Sequence, residues 1–239
     1  MLSGLLCLTC EFMLPSMLSN SQLFEERALR IGLLLYPDVE PIDLATVGVI
    51  SMARRVIPEL SYITLSEHHG PVTLANGLRV LPDYDLASAP SIELLVVPGG
   101  PGWQKASQSE RVLTFLRGLA PNVAIGSVCT GAMILASAGL LDGLLVTTKC
   151  EVVPPEESPL ERLERDFPRV RTTKALLVDN GRIFTGGGVS LCIDAMLDVL
   201  QKRYGQEKVA EVARIMEYGR ANQANLDRLA VLRPGREGG

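Results

Sequence analysis

Histidine is nearly absent from this chain. There are 2 in 239 residues, His68 and His69, side by side in a polar segment that reads as solvated. A nucleophile activated by imidazole therefore has little to draw on, and no His, Cys and Asp residues fall at metal-ligand spacing. Neither a metal nor another cofactor is expected. Basic charge is also short: 23 Lys and Arg stand against 27 Asp and Glu, a net charge of −4 with no basic run. That balance argues against broad nucleic-acid binding, which needs a positive footprint to neutralise phosphates. Long apolar runs are missing too. The N-terminal MLSGLLCLTCEFMLPSML has no Lys or Arg ahead of it and is broken by Glu11, so it reads neither as a membrane span nor as a secretory signal. Five cysteines form an odd set without framework spacing, which fits a reduced, cytoplasmic setting. The Cys7 and Cys10 pair lacks the second pair that a zinc site requires. The phosphate-loop pattern G-x-x-x-x-G-K-[ST], internal repeats and coiled-coil heptads are all absent.

What remains is a chain that is 47% hydrophobic and long enough for one domain with tails. Residues 1–27 read as an N-terminal tail, with Met13 and Met17 as alternative starts, 28–222 as one domain, and 223–239 as a C-terminal tail ending in PGREGG. Short apolar runs at Leu29 to Tyr36, Ile92 to Val97 and Val123 to Val128 read as strands buried on both faces. Ser61 to Ser66 is a further strand. Asn76-Gly77 and Asp179-Asn180-Gly181 each sit between apolar alternations and predict hairpins at the sheet edges. Helices are predicted after Asp43 through Met52, over Ser109 to Leu119, and over Thr130 to Ala138 with Gly139 at C′. Ser158-Pro159-Leu160-Glu161 predicts a capped helix start. An amphipathic helix should carry Val189, Ile193, Met196, Leu197 and Leu200 on one face, and a last helix should span Gln206 to Tyr218. Strands alternating with helices imply an α/β protein with a mostly parallel sheet, whose site lies at the carboxyl ends of the strands.

Three segments meet that rule. Gly126-Ser127-Val128-Cys129-Thr130-Gly131 places a thiol between a strand and a helix, with small residues two positions either side, as a nucleophile elbow requires. The helix start would lower the thiol pKa, and the Thr130 N–H would face an anion beside the sulfur. A cysteine in an apolar stretch is otherwise a small core residue, and the elbow spacing decides for the nucleophile. Pro98-Gly99-Gly100-Pro101-Gly102 ends a strand, and its glycines let backbone approach a ligand, with the Gly100 N–H as an oxyanion donor. Asp43 follows the first strand, where a catalytic carboxylate with a raised pKa and a helix cap are both open readings. Gly186-Gly187-Gly188 has two readings, an anion site at a helix start and tight packing near the site, and packing is the preferred one. Cys192 reads as core, and Cys150 has no evident partner.

Together, YPDVEPIDLATVGV, ELLVVPGGPG, IGSVCTGAMILASAGLLDG and DNGRIFTGGGVSLCIDAMLDVL resemble the ThiJ/PfpI family of the class I glutamine amidotransferase-like superfamily. The likeness spans nearly all of Leu29 to Tyr218. It is greatest to the isonitrile hydratase-like branch and to the amidase-like domains of AraC-type regulators. It implies a flavodoxin-like sandwich, a homodimer, and a small-molecule substrate, with Cys129 as nucleophile, Asp43 and Thr130 as its partners, and Gly100 and Thr130 N–H groups as the oxyanion site beside Gly99 and Gly131. Protease-like members carry His directly after the nucleophile where this chain has Thr130. Many relatives read Thr-Thr-His-Trp where Thr147-Thr148-Lys149-Cys150 stands here, and the loop from Glu151 to Pro159 is long by comparison. Three functions follow as expectations: hydration of an isonitrile to an N-substituted formamide, a non-catalytic sensor keeping the pocket, and redox or carbonyl-stress chemistry at Cys129. Regulators of this kind append a helix-turn-helix domain, for which the residues after Tyr218 are too few.

Overall fold

The structure is a computed structural model and describes residues 29–234; the expectations for the N-terminal tail, its Cys7 and Cys10 pair, and the last residues of PGREGG lie outside them. The fold begins with β1 (Arg30–Leu35), whose RIGLLL run is buried from Ile31 onward. A 3-10 turn (Pro41–Leu44) and α1 (Ala45–Ala53) lead to β2 (Ser61–Ser66). The first expected hairpin is β3 (Val72–Thr73) and β4 (Arg79–Val80), which pair antiparallel as a separate small sheet around Asn76-Gly77. Next come β5 (Tyr84–Asp85) and β6 (Leu94–Val97), then α2 (Trp103–Ala106) and α3 (Glu110–Gly118), the latter capped by the Ser109 side chain. They are followed by β7 (Ala124–Ser127), α4 (Gly131–Ser137) and β8 (Leu145–Val146). Ser158 caps α5 (Pro159–Asp166) through the Glu161 N–H, as its motif predicts. Then follow β9 (Arg171–Thr172), β10 (Leu177–Asp179), β11 (Ile183–Gly186), α6 (Leu191–Tyr204), α7 (Gln206–Ile215), α8 (Gly219–Arg228) and β12 (Val231–Leu232).

Among the described residues, the main sheet runs β12-β10-β11-β7-β6-β1-β2-β5, and only the β10–β11 pairing is antiparallel. One group of helices, α1, α6 and α7, packs together, and α4 packs with α2, α3 and α5. This is the mostly parallel flavodoxin-like sheet with helices around it that the alternation of elements implies. The four neighbours β11, β7, β6 and β1 are parallel, so their carboxyl ends emerge along one edge. That edge receives the chain after β1, after β6, after β7 and after β11.

Two expectations need correction. The hairpin around Asp179-Asn180-Gly181 is no edge addition: β11 is fully buried and pairs in parallel with β7, because Ile183, Phe184 and Thr185 align with Ile125, Gly126 and Ser127. The fold also does not stop at residue 222. The strand β12 adds to the sheet through Leu177 and Val178, and Arg233 bonds both carboxylate oxygens of Asp198 at 2.7 and 2.8 Å. Buried Asp194 anchors the helix before that strand, accepting from Tyr218, Asn222 and Asn225 at 2.8–3.0 Å. Polarity conceals this segment in the sequence, since α8 has no buried residue.

Candidate active site

The strand β7 delivers Cys129 to the carboxyl edge and α4 leaves two residues later, so the thiol sits on a sharp turn. Its φ of 53° is left-handed, a conformation that costs a non-glycine residue about 1–3 kcal/mol and survives only where the surroundings enforce it. Two bonds do so. The Cys129 N–H donates to the Gly187 carbonyl at 3.1 Å, and the Thr148 hydroxyl donates to the Cys129 carbonyl at 2.6 Å. Small neighbours are obligatory: a Cβ on Gly131 would lie 2.1 Å from the Val97 carbonyl oxygen, and one on Gly99 would lie 2.7 Å from the Cys129 Cβ. The elbow inferred from spacing is thus present in geometry.

Asp43 sits in the 3-10 turn after β1 with no solvent exposure. One oxygen accepts from the Gly99 N–H at 2.7 Å; the other is buried without a hydrogen-bond partner. The helix-cap reading fails, because no side-chain cap bond forms there. Burial lifts the Asp43 pKa to about 7, aided by the Glu40 charge and opposed by the Gly99 N–H and the neighbouring Cys129 thiol. The carboxyl group and the thiol are close enough to shift each other's ionisation.

Cys129 itself departs from expectation. Only 3% exposed, it is pushed up to about 12 by burial and then by the Asp43 charge. The N–H groups of Val189 and Thr130, and the Lys149 charge, act the other way without prevailing. The helix start therefore does not make a resting thiolate: desolvation of the charged form outweighs the backbone donors.

Thr130 begins α4, but its hydroxyl faces the Pro98-Gly102 turn. It accepts from the Gly100 N–H at 2.9 Å and lies 3.4 Å from the Gly100 carbonyl. Gly100 is thus already engaged, and the backbone donors that meet the sulfur are Thr130 and Val189. Val189, expected on the apolar face of the amphipathic helix, instead lies ahead of α6 in a left-handed turn, and it was not among the expected site residues. Its N–H meets the Cys129 sulfur and its φ is 59°; the preceding run Gly186-Gly187-Gly188 was the available signal. Tyr36, also missed, is buried and donates to the Pro98 carbonyl at 2.8 Å; burial, Asp43 and Cys129 together raise its pKa. Cys192 is fully buried, as a core residue should be, with its thiol 3.5 Å from the Ile42 carbonyl and within reach of the Asp43 charge.

Cys129 and Thr130 floor a cavity of about 520 Å³ walled by Ile42, Pro101, Trp103 and Val189, with Lys149 and Glu156 at its side. His68 and His69 stay at the surface, with side chains 66% and 78% exposed. Among the described residues no group of three or more His, Cys, Asp and Glu could hold a metal ion, and no helix is long and apolar enough to cross a membrane.

Chemically, the arrangement joins a buried thiol to a carboxyl group that exchanges its proton near neutrality. Such a carboxyl can take the thiol proton and return it to a bound molecule.

Known proteins agree with this architecture. Isonitrile hydratase of Pseudomonas putida is 31% identical over 198 residues, covering 81% of this chain and 80% of that protein. The HTH-type transcriptional regulator GbdR of Pseudomonas aeruginosa is 33% identical over 195 residues, covering 80% of this chain and 51% of the regulator, so the chain spans about half the regulator's length. In three dimensions, a ThiJ/PfpI family protein from Pseudomonas syringae superposes with a TM-score of 0.67 at 24% identity, over 86% of this chain and 81% of that one. Residues 30–202 match the DJ-1/PfpI family profile, and the chain belongs to that family.

Proposed function

We propose that this protein is an isonitrile hydratase-like enzyme that acts on a small-molecule substrate. One observation carries the proposal: Asp43, with a pKa of about 7, is packed behind the Cys129 thiol, which lines a cavity with apolar walls at Ile42, Pro101, Trp103 and Val189 and no histidine in its lining. An isonitrile carries no net charge, its organic substituent suits apolar walls, and its terminal carbon accepts both a nucleophile and a proton. As the sulfur bonds to that carbon, Asp43 takes the thiol proton and passes it to the same carbon, giving a thioimidate. Water, deprotonated by Asp43, then adds to this carbon. The nitrogen gains a proton, the C–S bond breaks, and the N-substituted formamide leaves with the thiol restored. Passing through a covalent intermediate divides one hard addition into two easier steps. The N–H groups of Thr130 and Val189 stabilise sulfur while it carries charge. Thr130 holds the Gly100 turn in place rather than orienting Asp43 or the water. We take the enzyme to be a cytoplasmic homodimer that needs no cofactor and engages neither nucleic acid nor membrane. Purified protein incubated with cyclohexyl isocyanide should release the formamide, and Cys129→Ala should not. Absence of product with the wild type ends the proposal.

A second reading, a non-catalytic sensor domain, is favoured by the likeness to GbdR and to the regulator CdhR of Pseudomonas aeruginosa. It predicts thermal stabilisation by small molecules that are recovered unchanged.

A further inference from the structure

We propose that Lys149 is a positioning residue for Cys129, and that its ion pair with Glu156 sets how much of the Lys149 charge the sulfur feels. The geometry starts with the backbone. Thr148, directly before Lys149, bonds the Cys129 carbonyl, so the lysine is tethered to the elbow. The lysine stem lies on the turn that supplies the Val189 N–H: a Cβ built on Gly188 would meet the Lys149 Cβ at 2.7 Å and Cγ at 2.8 Å. The ammonium thus borders the cavity that holds the thiol, and the side chain is only 18% exposed. At this depth a unit charge is weakly screened and acts on its neighbours more strongly than at the surface.

The charges that meet Cys129 come from several elements. Asp43, from the turn after β1, opposes the thiolate, whereas Lys149 favours it. Cys129 in turn acts on Tyr36 at the end of β1 and on Cys192 in α6, both of which burial keeps protonated. Arg162 of α5 lines the same cavity but is engaged elsewhere, 4.8 Å over the Trp103 ring and 3.2 Å from Asp166. Among the described residues, Lys149 is therefore the cation seen to bear on the sulfur. Glu156 holds it at 2.5 Å from the segment between β8 and α5, and Glu156 is itself half exposed. A carboxylate that close offsets the field that the ammonium casts on the thiol. The pair makes thiol reactivity adjustable from a surface segment, which a lone buried cation would not allow.

The inference rests on Cys129 as the reacting group but not on isonitrile turnover, so the readout is alkylation. The full chain is treated with iodoacetamide between about pH 7 and 9.5, and the Cys129 peptide is followed by mass spectrometry, because the thiolate is the reacting form. A one-unit rise in thiol pKa removes tenfold thiolate and returns part of that as nucleophilicity, for a net loss of about threefold. Lys149→Met should slow labelling by about that factor across the range, and Lys149→Arg should restore it. Glu156→Gln should accelerate labelling by a similar factor, and the double variant Lys149→Met with Glu156→Gln should behave like Lys149→Met alone. An unchanged profile in Lys149→Met overturns the proposal, as does an acceleration by Glu156→Gln that persists without the lysine. Should the Met variant fail to fold, Glu156→Gln in the otherwise intact chain decides the matter, and no acceleration counts against it.

Discussion

Gly99 donates its N–H to Asp43 at 2.7 Å, which ties the turn after β6 to the turn after β1 across the mouth of the elbow. The bond favours the ionised carboxylate and burial disfavours it; burial prevails and leaves Asp43 at about 7. The carboxyl group is thus poised, while the thiol beside it stays protonated until something removes its proton.

If Asp43 is the base that takes the thiol proton, its ionised form is the active one. The value of kcat/KM for isonitrile hydration should rise with pH and level off above about 7. Asp43→Asn should lower kcat by about 100-fold or more and abolish that rise. A variant that keeps the wild-type pH profile would remove Asp43 from the proton path.

The same shift has a consequence for stability. The folded chain holds the Asp43 proton up to about 7, whereas the unfolded chain releases it near 3.8. Between those values the folded state binds the extra proton, so stability is lost as pH rises through the window. Three units correspond to about 4 kcal/mol as an upper bound. Asp43→Asn should therefore melt above the wild type at pH about 8, with the difference shrinking toward pH about 4. Calorimetry across pH reads this directly, and a variant less stable than wild type at both ends would refute it.

Legibility in the sequence follows how local each cause is. The elbow was readable because its steric demand falls on adjacent residues, Ser127 and Gly131 around Cys129. Asp43 was readable by its place after a buried strand, although only the Gly99 bond and the absence of a cap bond separate a site carboxylate from a cap. Val189 was signalled only by the glycine run before it: its N–H meets the sulfur because β11 lies beside β7, a pairing hidden inside what reads as an edge hairpin. The Cys129 pKa misled for a related reason. The helix start is visible in sequence, whereas the depth of burial that outweighs it arises from the whole fold. The last strand, β12, escaped because two residues of partly buried Val-Leu carry no period, and the polar helix before it is held by Asp194 rather than by an apolar face.

That anchor can be tested alone. Asp194 is 1% exposed and receives bonds from Tyr218, Asn222 and Asn225, so Asp194→Ala removes an acceptor and leaves three donors to find water. Leaving buried donors unpaired costs about 1–3 kcal/mol each when they cannot relax. Since α8 is otherwise exposed, partial relief is expected and the net loss should be about 2–4 kcal/mol in urea unfolding. Hydrogen exchange should also quicken in α8 and β12 before the rest of the sheet. Uniform exchange with unaltered stability would show that this segment is held by something other than Asp194.

Gly131→Ala tests the elbow without touching a polar group. In an unconstrained helix the change would gain about 1 kcal/mol from propensity. Here the new methyl would stand 2.1 Å from the carbonyl oxygen of Val97, in a central strand whose backbone has little room to yield. Either α4 shifts away from β6 or the strand bends, and each movement carries Cys129 with it. Overpacking of this kind costs about 1–3 kcal/mol or more. The clash is with backbone rather than a flexible side chain, so we expect a net loss of about 2 kcal/mol despite the gain in propensity. The left-handed backbone at Cys129, enforced by bonds to Gly187 and from Thr148, should loosen as well, and the rate of thiol alkylation should change along with the melting temperature. A stable Gly131→Ala protein with unaltered labelling would mean that the turn tolerates a methyl group, and that tight approach of β6 to α4 is not what holds the thiol in place.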